Sequence, residues 1–273
     1  MNQQNQIFQI TNEIEKQIEQ AAEMISQANN ILFYTGSGIS VESGVKSFQD
    51  PFYEKLGNKL GLAMFGIPFG WNNIPSISWH FFKTRFLKEI ITAQPNPAHL
   101  AISDLLTIGN KNVKVITQII DGLHQRGGIP DERISELHGS ACKFRCIQNG
   151  HPIEIDLTHG LPTETIKCTE CKSKIRPDCT LFSEGVPQEA FTLSDRWINE
   201  CLRENGVMVI VGSAGEIFPA CNGPYHFMRS GGKTIEINVE ESGFTSRVNC
   251  FIRGPAGVIL PLIVEKVMEL GLE

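Results

Sequence analysis

The chain has 273 residues, 41% of them hydrophobic, with 8 cysteines and a formal net charge of -6. That length can bury a sizeable core, as one large domain or as a domain with insertions, and the acidic balance excludes the basic field that holds phosphate backbones, so no direct nucleic-acid partner is expected. The N-terminus, MNQQNQIFQITNEIEKQ, lacks the positive start and apolar run of a signal peptide and no stretch is apolar for long enough to span a bilayer, so a cytoplasmic protein without a membrane partner is expected, the nucleus remaining open.

From Asn12 to Gln27, Ile14, Ile18, Ala21, Ala22 and Ile25 recur at helical spacing with charged residues between them, which predicts an amphipathic helix. Ile31 to Tyr34 form a short apolar strand that runs into TGSGIS, Thr35 to Ser40. A strand followed by Gly-x-Gly opens a dinucleotide-binding fold, because backbone without side chains lets a pyrophosphate approach the amides. The third glycine of that fingerprint is missing, so a plain tight turn is the competing reading.

Residues 50–94 turn rich in aromatics, glycine and proline and lose strand alternation, which reads as an inserted, partly helical module. Phe65, Phe69, Trp71, Trp79, Phe81 and Phe82 are expected to be mostly core, with some free to line an apolar channel. Pro95 to Leu106 reads as a helix, and Val113 to Ile116 as a β-branched strand. Gln118, Asp121 and His124 follow at the carboxyl end of that strand, where open α/β sheets bind ligands, and His138 comes soon after in ELHGS. These groups suit a general base with its orienting partner, or equally capping and turn residues around Gly122, Gly127 and Gly128.

Cys142-x3-Cys146 and Cys168-x2-Cys171, with twenty-one residues between the pairs, approach the spacing of two zinc knuckles that supply four thiolates. In a reducing compartment cysteines serve as metal ligands or buried thiols, and four protein thiolates leave no open position, so one structural Zn2+ per chain is expected. His151 and His159 read as solvated loop residues between the pairs. After RPDCTLFSEGVP comes a helix-like run to Glu204, then the buried strand Val207 to Val211 with Gly212, Ser213 and Ala214 at its end. Thr234 to Glu240 is a further strand with Asn238 at its tip, and the last segment reads as an amphipathic helix. Strand ends bearing small or amide residues thus gather at one edge of a parallel sheet, where a nucleotide is the natural occupant.

Along the chain, GSGISVESGV, PNPAHLAI, TQIIDGLH, ELHGS, the four cysteines, RPDCTLFSEGVP, VGSAGEIFPA and INVE each fall where one family has a counterpart. In this the chain resembles the sirtuins, NAD-dependent protein lysine deacylases, from about Ile31 to Leu262. The resemblance implies an α/β fold, with a Rossmann-like parallel sheet and helices on both faces built from residues 10–50, 95–140 and 181–273. A small module would add a helical insertion, 51–94, and a zinc-binding insertion, 141–180. It implies NAD as cofactor and an acylated-lysine protein or peptide as substrate, with nicotinamide released and the acyl group carried to ADP-ribose.

His138 would be the catalytic base. Gly36, Ser37 and Gly38 would meet the pyrophosphate of NAD, Gln118 and Asp121 its ribose and nicotinamide, and Gly212, Ser213, Asn238 and Ala256 its adenosine half, with Ser40 also cofactor-binding. Phe48 would stand beside the cofactor, and Phe182, Ser183, Glu184, Gly185 and Val186 would border the substrate channel. Cys142, Cys146, Cys168 and Cys171 would hold the zinc. Three departures accompany the matches: Ile119 replaces the asparagine of TQNID, and Ser47 and Gln49 replace the aspartate and arginine of PDFR. Ile119 and Gln49 motivate an alternative on the same fold, an NAD glycohydrolase or mono-ADP-ribosyltransferase; a further alternative, of another class, is a non-catalytic NAD or ADP-ribose binding module. Phe82-Lys83-Thr84-Arg85 stands where sirtuins that remove acidic acyl groups have Tyr-x-x-Arg, so neutral acyl groups are expected.

Overall fold

The computed structural model describes residues 8–46, 66–109, 111–156 and 167–271. Helix α1 (Asn12–Gln27) buries Ile18, Ala21, Ala22 and Ile25 as one stripe, and Thr11 caps it by accepting from the Ile14 N–H. Its last turn has no basic residue of its own. Lys111 supplies the charge from another part of the chain, its Nζ donating to the carbonyls of Ile25, Ser26 and Ala28 at 2.9, 2.6 and 2.8 Å.

The strands are β1 (Asn30–Thr35), β2 (Asn112–Thr117), β3 (Ile134–Glu136), β4 (Gly139–Cys146), β5 (Pro152–Ile153), β6 (Ile175–Cys179), β7 (Val207–Val211), β8 (Lys233–Asn238) and β9 (Cys250–Arg253). Six of them lie parallel in the order β3-β2-β1-β7-β8-β9. The order reverses between β1 and β7, and the carboxyl ends of these two strands therefore open a crevice. The helices are α2 (Pro68–Asn73), α3 (Pro75–Phe82), α4 (Lys88–Thr92), α5 (Pro97–Asp104), α6 (Leu123–Arg126), α7 (Gln188–Arg203), α8 (Asn222–Arg229) and α9 (Ala256–Leu270), with a π-helical segment, Lys83–Leu87, between α3 and α4 and 3-10 segments at Ser37–Ser43, Leu105–Thr107, Asp131–Arg133 and Thr245–Arg247.

Strand alternation divides the core in two. Phe33, Val115, Val209 and Ile235 face α1, α5 and α9, while Leu32, Tyr34, Met208 and Ile210 face Trp197 of α7 and Phe227 of α8. The sheet is thus covered on both sides, as its continuous apolar strands require. No helix among the described residues is long and apolar enough to cross a membrane.

A second, antiparallel sheet has the order β5-β4-β6. Its inner face shares one core with the helical segment: Trp79 stacks on Phe82 with ring centroids 5.9 Å apart and meets Phe144 of β4 edge-on at 5.7 Å. Trp71 is buried with them, whereas Phe69 is exposed and Phe81 half-buried; Phe65 lies outside the described residues. The strands of this sheet, and short β3 and β9, carry no apolar run or clear alternation by which the sequence could announce them.

Candidate active site

The crevice at the reversal point is formed by two interlocked loops. The Gly36 N–H donates to the Val211 carbonyl and the Gly38 N–H to the Gly212 carbonyl, both at 2.9 Å, while the Gly212 N–H donates to the Ile237 carbonyl at 3.0 Å. A Cβ on Gly36 would lie 2.5 Å from the Gly212 oxygen, and one on Gly212, whose φ is +60°, would lie 2.5 Å from the Ile39 nitrogen. Glycine is demanded here by the approach of loop to loop. The third fingerprint glycine is not needed, because Ser37–Ser43 continue as a 3-10 segment pinned by Asn96, whose Nδ2 donates to the Ile39 carbonyl at 2.7 Å and to Ser43 Oγ at 3.0 Å.

Gln118 leaves β2 directly into this crevice. Its N–H donates to the Thr35 carbonyl and its Nε2 to Ser213 Oγ, both at 3.0 Å, and Asn238 Nδ2 donates to the Ser213 carbonyl at 3.2 Å. Gln118, Ser213 and Asn238 therefore tie the ends of β2, β7 and β8 together across β1. The Gly254 N–H donates to the Asn238 carbonyl at 2.9 Å, which sets Ala256 at the start of α9 near this edge. Glu42 of the 3-10 segment accepts from the Gly257 N–H at 2.7 Å and so closes that helix onto the first loop.

His138 Nδ1 is 2.9 Å from the Gln118 carbonyl. A carbonyl only accepts, so Nδ1 carries the proton and Nε2 is bare. Burial lowers the His138 pKa from its ordinary value, and the bond to Gln118 offsets part of that drop. Strand β6 passes directly behind: Gly139 has φ +69°, and a Cβ there would lie 2.2 Å from the Asp178 carbonyl oxygen. Asp121 does not orient this histidine. Its Oδ1 accepts from the Leu123 N–H at 2.9 Å, while Oδ2 and Ser40 Oγ are buried without hydrogen-bond partners. Burial raises the Asp121 pKa, against the pull of the nearby Ser40 hydroxyl and Leu123 N–H.

His124 has a different role. It is buried, its Nε2 lies 2.9 Å from Thr35 Oγ1, and Thr35 Oγ1 donates to Thr117 Oγ1 at 2.9 Å, which also accepts the Ile119 N–H at 3.0 Å. His99 packs against it with ring centroids 5.1 Å apart. Burial lowers His99 to about 4 and His124 to about 3, so both are neutral scaffold residues at physiological pH. The sequence offers no local signal for the Thr35–Thr117 pair, since the two residues meet only through strand pairing. Glu236, buried in β8, accepts from the hydroxyls of Ser242 and Thr245 and so secures the loop beyond Asn238; burial raises its pKa.

The donor atoms that could hold a metal ion differ from the expected four cysteines. Cys146, His151, Cys168 and Cys171 bring one donor atom each within 4.8 Å of one another. Cys142 is elsewhere, its thiol 3.6 Å from the Asp121 carbonyl oxygen. Cys142 and Cys146 lie on one strand, where four residues span ~13 Å, so they cannot share one ion. The turn after β4 returns His151 instead: Gly150 at φ +69° allows the reversal, and the Cys146 N–H donates to the His151 carbonyl at 2.9 Å. Cys146 Sγ lies 3.4 Å from Cys171 Sγ and His151 Nδ1 3.4 Å from Cys168 Sγ, near the ~3.8 Å edge of a tetrahedron of zinc–sulfur bonds. Burial raises the Cys146 pKa, but hydrogen bonds from the Asn149 N–H, the Cys171 thiol and neighbouring backbone outweigh it and bring the thiol to about 6. The donor set fits Zn2+, and His159 lies outside the described residues.

The Sir2 family model matches residues 36–219. The chain belongs to the Sir2 family. It is 34% identical over 266 residues to an NAD-dependent protein deacylase of Thermococcus kodakarensis, covering 93% of this chain and 96% of that protein. Among solved structures, a Sir2 homologue in complex with NAD superposes with a TM-score of 0.80 at 28% identity, over 93% of this chain and 94% of the other. Sir2Af2 bound to a myristoylated histone peptide gives 0.68 at 30% identity, over 94% and 98%.

Against the Sir2 pattern, Ile119 sits half-buried at the crevice with no polar side-chain atom to offer. Ser47, Phe48 and Gln49 lie outside the described residues. Phe82 is buried in the small-module core and Arg85 is exposed. Along the expected substrate border, Phe182 is exposed, and Ser183 holds φ +71°. Glu184 turns back: its Oε2 accepts from the Leu181 N–H at 3.0 Å and from Arg176 at 2.9 Å. Gly185 and Val186 line a cleft of about 420 Å³ with Thr180 and Pro187.

Proposed function

We propose that this Sir2 protein removes acyl groups from lysine side chains of proteins, with NAD as co-substrate, releasing nicotinamide and leaving the acyl group on ADP-ribose. The observation that carries the reading is His138, an imidazole held by the Gln118 carbonyl with Nε2 bare at the carboxyl edge of the sheet. NAD, when bound, supplies an anomeric carbon that the acyl oxygen of the substrate can attack as nicotinamide leaves. The chain's residues fit that cofactor: Ser40 Oγ and Asp121 Oδ2 are orphaned polar atoms suited to an amide, and the interlocked Gly36 and Gly212 bring backbone close enough for a pyrophosphate.

In this reading His138 Nε2 accepts a ribose hydroxyl proton, and the Gln118 carbonyl stabilises the imidazolium that results. The Gln118–Ser213–Asn238 chain of hydrogen bonds keeps three strand ends in register around the cofactor. The substrate lysine passes Phe182 and the Ser183–Val186 border, and neutral acyl groups are preferred, because Phe82 is committed to the core and offers no hydroxyl. Cys146, His151, Cys168 and Cys171 hold one structural Zn2+, all four positions being filled by protein. A reducing, cytoplasmic setting suits these ligand thiols.

Incubation with NAD and an acetyl-lysine peptide, followed by mass spectrometry, tests this reading. O-acetyl-ADP-ribose should form in step with deacetylation, and His138→Ala should stop both. Ile119 favours one second reading, NAD hydrolysis or ADP-ribosyl transfer, since it removes an amide from the ribose side of the crevice. Nicotinamide released without O-acetyl-ADP-ribose would establish that reading instead.

A further inference from the structure

We propose a second ligand site, in the small module, that takes a carboxylate group. Arg145 of β4 and Arg176 of β6 are directly opposite each other in the antiparallel register. Like charges at such a pair repel unless an anion lies between them. The anions already present do not use all of their donors. Arg176 is 5% exposed; Nη2 donates to Glu184 Oε2 at 2.9 Å, and Nη1 has no hydrogen-bond partner among the described residues. That same Glu184 oxygen also takes the Leu181 N–H at 3.0 Å and stands 3.8 Å from Arg145, while Asp178, half in solvent, holds Arg145 Nε at 3.2 Å.

Both guanidinium groups line one cleft of about 270 Å³, walled by Trp71 and Ile147 and bordered by Asn72 and Gly150. The planar fork of an arginine matches a carboxylate, which needs two acceptor oxygens in one plane. A dianionic phosphate fits less well, because Glu184 and Asp178 already balance the two arginines. The part-exposed Ile147 suits a short carbon chain behind the carboxylate. Occupancy also reaches the other cleft, since Arg145 and Glu184 line both, and Glu184 holds the Leu181–Gly185 turn. The carboxylate can belong to a small free acid or to an acidic side chain of a bound polypeptide.

The site does not depend on the deacylase reading and is tested by binding alone. The purified full chain, loaded with zinc, is titrated calorimetrically with sodium glutarate, with sodium chloride and sodium sulfate as controls at equal ionic strength. One saturable glutarate site per chain is expected, weakened about tenfold or more by Arg176→Lys, which keeps a charge for Glu184 but loses the fork. Asn72→Phe, at an exposed position on the border of the cleft, should narrow it and weaken binding as well, and covers the case in which Arg176→Lys fails to fold. No saturable heat, equal binding of chloride or sulfate, or unchanged affinity in Asn72→Phe would overturn the proposal. If an acetyl-lysine peptide bearing a flanking glutamate displaces glutarate and its glutamine version does not, the carboxylate comes from the polypeptide; if glutarate binds equally with either peptide present, it comes from a free acid.

Discussion

Cys142→Ser should leave metal content unchanged, whereas His151→Ala should lower it. The ~13 Å that four strand residues span puts Cys142 far outside the 4.8 Å cluster of donor atoms, so its loss removes no ligand. Losing His151 removes one of four. Structural zinc sites contribute roughly 10–16 kcal/mol, about 2.5–4 kcal/mol per ligand when shared equally, so affinity should fall on the order of a hundred- to a thousand-fold. Metal content is measured by mass spectrometry after dialysis against graded chelator, with thermal melting alongside. Wild type and Cys142→Ser should keep about one zinc per chain at chelator levels that strip His151→Ala, and the stripped protein should melt earlier. His151→Cys should restore retention, since a thiolate there completes a four-sulfur set. Zinc lost from Cys142→Ser but kept by His151→Ala would refute the assignment.

His138→Ala should lower turnover ~100-fold or more with the melting temperature little changed, and in the wild type kcat/KM should fall below a pKa under 6.5 and stay level above pH 7, because only the neutral imidazole accepts a proton; a rate still climbing at pH 9 contradicts this. Gly36→Ala should weaken NAD binding and cost roughly 2 kcal/mol or more, its Cβ meeting the Gly212 oxygen at 2.5 Å, as read by calorimetry and urea unfolding. His99 and His124 are buried with pKa values of about 4 and 3, below the unfolded value, so the unfolded state binds more protons as pH falls from about 6.5 towards 4 and stability drops by a few kcal/mol in that window. A urea midpoint that stays level from pH 7 to pH 5 would count against that. Lys111→Met should cost about 1–2 kcal/mol by leaving the end of α1 uncapped, visible as a lower melting temperature with unchanged turnover.

By itself the sequence determined whatever depends on neighbours along the chain. The apolar runs Ile31–Tyr34 and Val207–Val211 became the two central strands, and the helical spacing from Asn12 to Gln27 became α1 with the same bounds. The small and amide residues behind each strand fall at one edge of the sheet, because parallel strands align their carboxyl ends. The order of the motifs made the family legible.

Tertiary structure decided which distant groups meet. Cysteine spacing cannot reveal that Cys142 and Cys146 share one extended strand, nor that a turn through Gly150 returns His151 to Cys146, Cys168 and Cys171. Asp121 and His124 sat beside Gln118 in the chain, yet His138 is oriented by a backbone carbonyl, while His124 serves a threonine from another strand. The opposed Arg145 and Arg176 exist only through antiparallel register. Periodicity and turn chemistry act over a few residues, whereas a ligand set or a charge pair is fixed by distances that only packing of the elements creates.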